Sequence, residues 1–176
     1  MKTYCKHLFY VSLLMVLGAC SHEKQYRTPD VIVRATVKRI YTSTLNDSVE
    51  RKSFEVNLSV INRSKHPVAF WTMSCSWYEN FLINNDYVDM CTWDCDDNLP
   101  VIRHVKPKDS LVYKTTVIRY DESRFRNVES TRFGFIFIDS AWCKSHEDFE
   151  NILGDRSNQS IIFWSNPLFL NDSRKK

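Results

Sequence analysis

The run Phe54-Glu55-Val56-Asn57-Leu58-Ser59-Val60, echoed upstream by Val31-Ile32-Val33-Arg34-Ala35-Thr36-Val37-Lys38, decides the fold class. In the first, apolar Phe54, Val56, Leu58 and Val60 alternate with polar Glu55, Asn57 and Ser59; in the second, Val31, Val33, Ala35 and Val37 fall on one side. Successive side chains of a strand point to opposite faces, so a period of two describes a strand with one buried face. Between the two runs, residues 42–51 are polar, with Asn46-Asp47 offering turn chemistry. Downstream, Asn62-Arg63-Ser64-Lys65-His66-Pro67 reads as a second turn leading into residues 68–73, Pro67 being tolerated at a strand start.

Further strand-like runs cover residues 81–83, 87–90, 100–105, 111–120, 132–139 and 160–165, and Lys106-Pro107-Lys108-Asp109 separates two of them as a turn with Pro at its second position. One stretch carries helix signals. Ser145 with Asp148 forms a capping box, Phe149, Ile152 and Leu153 share a face, and Gly154 supplies a stop, which predicts a two-turn helix over 145–153. Many short strands and one minor helix predict an all-β fold, an antiparallel immunoglobulin-like β-sandwich, with a closed barrel as the second architecture. No internal repeat is visible.

The 176 residues make one domain the natural count. With 24 Lys and Arg against 21 Asp and Glu, the charge is too balanced for an electrostatic nucleic-acid binder, so no nucleic-acid partner is expected. Three glycines, scattered, exclude a phosphate-cradling loop, and no cofactor is expected. The 14% aromatic content argues against disorder.

Lys2, Lys6 and His7 precede an apolar run of residues 8–17, too short to span a bilayer as a helix, which reads as a secretory signal. The run ends Leu17-Gly18-Ala19-Cys20 and resembles the lipobox of bacterial lipoproteins. The resemblance implies lipid on Cys20, cleavage just before it and membrane lipid as a partner. Ser21 in the second mature position implies transfer to an outer membrane, so the expected location is the bacterial cell envelope, lipid-anchored there. The predicted organisation is a signal peptide over 1–19, lipidated Cys20 and a polar tether over 20–29, a β-sandwich over 30–170 and a polar tail over 171–176. Lys2 and Lys6 leave with the signal and no acid does, so the mature balance is 22 against 21 and favours neither sign of partner.

Cys5 also leaves and lipid consumes Cys20, so Cys75, Cys91, Cys95 and Cys143 remain. In an oxidising compartment these suggest two disulfides with three possible pairings. Cys91, Cys95, Cys143 and His146 would alternatively supply zinc-type ligands, but thiolate zinc sites belong mainly to reducing compartments, and no metal is expected. A catalytic thiol would need His66, His104 or His146 beside it in space.

The strings Phe70-Trp71-Thr72-Met73-Ser74-Cys75-Ser76-Trp77, Cys95-Asp96-Asp97-Asn98-Leu99-Pro100, Phe133-Gly134-Phe135-Ile136-Phe137-Ile138-Asp139 and Trp164-Ser165-Asn166-Pro167 resemble a group of small, uncharacterised bacterial lipoproteins with one immunoglobulin-like domain. The resemblance covers about two thirds of the chain, residues 54–168. It implies that Cys75 pairs with Cys95, and that Cys91 and Cys143, which look like additions, pair with each other. It implies no activity.

Asp94, Asp96, Asp97 and Asn98 are hard oxygen ligands at a density suited to calcium, but they lack the twelve-residue loop with its central Gly and terminal Glu, and a solvated loop is the expectation. Glu79, Asp86 and Asp89 would be the carboxylates of a glycoside hydrolase; no enzyme is expected. Trp71 and Trp164 are assigned to the core. Trp77, Trp93, Asp94, Asp96 and Asp97 form the candidate binding surface, because aromatic faces beside carboxylates suit a sugar or protein ligand. With Cys75 joined to Cys95, residues 77–94 would project as one closed loop from an end of the sandwich. An unpaired strand edge is another candidate surface, for a peptide. The expected function is a membrane-anchored, extracytoplasmic, non-enzymatic binding or interaction module for a protein, peptide or glycan. The alternative is an inhibitor or immunity protein against a toxin or protease.

Overall fold

The computed structural model describes residues 29–44, 50–120, 130–155 and 158–170. The signal peptide, Cys20, the tether, the Asn46-Asp47 turn and the C-terminal tail lie outside the described residues. Strands account for 52% and helical turns for 12% of the structure, which makes the protein all-β with one short helix.

The first sheet runs β1–β2–β7–β5, built from β1 (Val31–Thr44), β2 (Glu50–Asn62), β7 (Ser110–Arg119) and β5 (Val88–Met90), every pair antiparallel. β3 (Val68–Met73) lies between β6 (Pro100–Val105) and β9 (Ile138–Asp139), while β8 (Phe133–Ile136) lies between β4 (Phe81–Ile83) and β10 (Ile162–Trp164). β8 and β9 are one chain run broken at Phe137, whose N–H turns to the Ile161 carbonyl at 2.9 Å. These six strands therefore act as a second, continuous layer. β3 pairs with β9 and β4 with β8, and residues 74–80 connect the two.

The alternating residues of β1 and β2 do face one core. Phe54, Val56, Leu58 and Val60 are buried with Val31, Val33 and Ala35, and they meet Phe70, Phe81, Phe133, Phe135 and Phe137 from the second layer. The alternation of β1 shifts at a β-bulge between Val37 and Arg39, which leaves Lys38 as the extra residue and brings Ile40 opposite Phe54. The spacing of three from Val37 to Ile40 was the sign of that bulge.

The outer face of the second layer is also covered. Helix α1 (His146–Gly154) lays Phe149 and Leu153 on Met73, Ile136, Ile138 and Ile162 in a second core, with Trp71 and Trp164 packed half-buried against it. The predicted capping box forms: Asp148 N–H donates to Ser145 Oγ at 3.1 Å, and Asp148 Oδ2 accepts from Ser145 N–H at 3.2 Å. The Lys144 N–H, 2.8 Å from Asp148 Oδ2, followed by the Ser145 N–H and hydroxyl, holds the Asp148 carboxyl below its usual range. The stop is different from expectation. Gly154 is the last helical residue, it does not have positive φ, and Asp155 ends the helix by donating its N–H to the Asn151 carbonyl.

Close approach, by contrast, requires glycine at 134. A Cβ there would lie 2.9 Å from Ile162 Cγ2 and 3.1 Å from the Trp164 ring. Gly134→Ala should therefore lower stability by about 1–3 kcal/mol, as overpacking does. Gly154→Ala, where a Cβ meets nothing within 4 Å, should raise it by up to about 1 kcal/mol through helix propensity. Urea unfolding of both variants checks the pair; equal effects would remove the packing account.

Candidate functional site

Met73 pairs with Pro100, so β3 and β6 form a hairpin whose connection is residues 74–99. Cys75 and Cys95 are joined across the base of that connection, with Cα atoms 6.2 Å apart, as the resemblance implied. Polar contacts zip the two segments together. Ser76 N–H donates to Asn98 Oδ1 at 3.0 Å, Asn98 Nδ2 donates to Ser76 Oγ at 2.5 Å, and Ser74 N–H donates to the Leu99 carbonyl at 2.8 Å. Asn98, read from sequence as a possible calcium ligand, is thus spent on the cystine.

The connection is not one projecting loop, which corrects that expectation. It carries a 3-10 turn (Trp77–Asn80), then β4, which joins the second layer, then β5, which joins the first. The hydrogen-bonding need of the backbone and the burial of Phe81, Val88 and Met90 pull it into both sheets. Its returning limb, residues 91–97, runs over the surface outside both sheets.

That limb is held in place. Cys91 N–H donates to the Thr116 carbonyl at 2.8 Å, continuing the edge of β7. Tyr78 Oη donates to the Trp93 carbonyl at 3.2 Å, and the Trp93 indole N–H points at Cys75 Sγ at 3.2 Å. Trp93 is 38% exposed. Its ring meets Trp77 edge-on at 5.5 Å and Tyr78 at 5.1 Å, and Trp77 continues inward to Tyr113 at 4.7 Å. Of the proposed surface, Trp77 is half-buried against the first core, whereas Trp93, Asp94, Asp96 and Asp97 are exposed. Among the described residues no group of three metal-ligating side chains converges, the Asp cluster included.

Beside Trp93 lies an open groove of about 700 Å³ on the outer face of the first sheet, bounded by Lys38, Glu55, Asn57, Lys114 and Thr116. Sequence reading did not single these out, because charged residues on the polar side of a strand carry no signal of their own. A second groove of about 500 Å³ opens between β4 and β5, with Glu79, Asp86 and Asp89 on its rim.

The pairing of Cys91 with Cys143 is contradicted: both are free thiols. Cys91 follows β5 at the first sheet, whereas Cys143 is buried in the second core under α1. Layers packed about 10 Å apart stand between them, beyond the roughly 7 Å between Cα atoms that a disulfide spans. With Cys95 in the cystine, the four-ligand zinc set is also unavailable. Burial pushes the Cys91 thiol up, with Asp89 adding to it, and burial followed by Asp148 and Asp139 does the same at Cys143. Thiols held protonated are poor nucleophiles, and neither of these two free thiols is activated by its surroundings. His66, His104 and His146 are all exposed.

Tyr113, the inner end of the Trp93–Trp77 stack, has its phenol pushed from 10.0 up to about 12 by burial, partly offset by the Thr72 hydroxyl and Arg103. Below pH 10 the phenol is neutral in both states and its contribution to stability is complete. Between about pH 10 and 12 only the unfolded phenol ionises, so stability falls by about 1.4 kcal/mol per pH unit from this group. Urea midpoints at pH 9 and 11 should show a shallower loss for Tyr113→Phe than for the parent; parallel loss would show that Tyr113 titrates freely. No family model matches the chain, and no curated protein or solved structure is significantly similar to it.

Proposed function

We propose that the protein is a lipid-anchored, extracytoplasmic binding module of immunoglobulin-like sandwich architecture, whose contact surface is the stapled limb carrying Trp93, Asp94, Asp96 and Asp97. The observation that carries this reading is Trp93. A large aromatic left 38% exposed, fixed by its own indole N–H and by Tyr78, is organised for contact at low entropic cost. The four surface residues lie within five positions of one another beside a cystine that limits their motion. The sandwich reading is supported by two antiparallel layers sharing one core. The anchor reading is supported by Leu17-Gly18-Ala19-Cys20 after a short apolar run.

Two measurements test it. Cys20→Ala should abolish acyl labelling and release the chain from membranes; a variant that remains membrane-bound would sink the anchor. In affinity capture from envelope extracts with tagged full chain, Trp93→Ala should weaken partner binding by more than about 1 kcal/mol with little change in melting temperature. An unchanged set of captured proteins and glycans would count against this surface.

A further inference from the structure

We infer that the groove between Trp93 and Lys38 is a subsite for an anionic saccharide, a sugar chain bearing carboxylates of the uronate type; this rests on the reading of Trp93 as a contact residue and names its ligand class.

Four observations converge. The cross-strand pairs Glu55–Thr116 and Asn57–Lys114 stand on the outward face of β2 and β7, where paired side chains lie about 4.5–5.5 Å apart at Cβ. They place a carboxylate, an amide, a hydroxyl and an ammonium in one patch. The bulge at Val37/Arg39 puts Lys38 on the far rim as a second ammonium, and bulges re-aim side chains beside functional sites. Among the described residues, the side chains of Lys38, Glu55, Asn57 and Lys114 take part in no hydrogen bond or ion pair, so each remains available to a ligand. Trp93 closes the near side.

The chemistry of the set selects the ligand. A peptide adding to a strand edge needs unpaired backbone, and the floor here is β1, β2 and β7, already paired with one another. A purely apolar ligand would bury the two ammoniums and Glu55 unpaired, at a cost. A pyranose has an apolar ring face for Trp93 and hydroxyls that donate to Glu55 and exchange hydrogen bonds with Asn57, while Thr116 Oγ1, already 3.2 Å from Tyr41 Oη, retains capacity for one more. Two ammoniums against one carboxylate leave the groove net positive, and charge-assisted hydrogen bonds from Lys38 and Lys114 suit a sugar carboxylate. Asp94, Asp96 and Asp97 do not line the groove and take no part in this subsite.

The test is calorimetric titration of the full chain in detergent with trigalacturonate, with maltotriose as a neutral trisaccharide and with inorganic phosphate. Trigalacturonate should bind saturably. Lys38→Gln combined with Lys114→Gln should weaken it by about tenfold or more, as should Trp93→Ala, with melting temperatures unchanged. Maltotriose binding as tightly as trigalacturonate, indifferent to both Lys substitutions, would overturn the anionic class. Phosphate displacing trigalacturonate at equal concentration would reduce the groove to a general anion site and overturn it too. Absence of any saccharide binding, while Trp93→Ala still weakens affinity capture, would overturn the subsite and leave the binding-module reading intact.

Discussion

The run from Phe133 to Asp139 is the constraint on which the rest of the structure depends. Phe133, Phe135 and Phe137 fill the first core while Ile136 and Ile138 fill the second, all essentially without exposure. A strand buried on both faces needs a cover on each. The first sheet supplies one and α1 with Trp71 and Trp164 supplies the other. Gly134 marks where Trp164 and Ile162 come too close for any side chain. β3, β4 and β10 find their places by pairing along this one axis.

The same requirement explains how the edges are finished. β1 pairs only with β2 on one side, and on the other Asn166 imitates a strand: its Oδ1 accepts from Ala35 N–H at 3.0 Å and its Nδ2 donates to the Ala35 carbonyl at 3.1 Å. At the other end of β2, fully buried Asn62 donates to the His66 and Val105 carbonyls and accepts from Ser64 N–H, which fixes the turn into β3. At the next turn Lys108 adopts φ 62° where glycine would be easier, and Asp109 N–H closes it on the Lys106 carbonyl.

Periodicity made the strands legible. Alternation at Val31–Val37 and Phe54–Val60 identified both the elements and their buried faces, and Ser145 with Asp148 marked the helix start, because these signals act within a few residues. What sequence could not reveal depends on pairing between distant segments. The short runs at 81–83 and 87–90 are legible as strands, but that they leave the 77–94 loop for opposite layers is not, because their partners lie in β8 and β7. The resemblance implied that Cys91 pairs with Cys143, yet the layer between them decides otherwise. Of the candidate surface, Trp93, Asp94, Asp96 and Asp97 are exposed, while Trp77 is half-buried through Tyr113 and Phe81, which are remote in sequence and so not legible from it. The groove lysines were invisible until β1, β2 and β7 were set side by side.

The cystine has a kinetic side as well. The β3–β6 hairpin must close a connection of residues 74–99 before Met73 meets Pro100, and within it β4 and β5 must depart to opposite layers. Long closures slow folding, because their entropy is lost before distant pairings form. Once Cys75 is oxidised onto Cys95, that search is confined and the two short strands start near their destinations. Formation of this one bond therefore orders the assembly: a chain in which the bridge is delayed would leave β4, with Phe81, and β5 unpaired for longer and aggregate more readily.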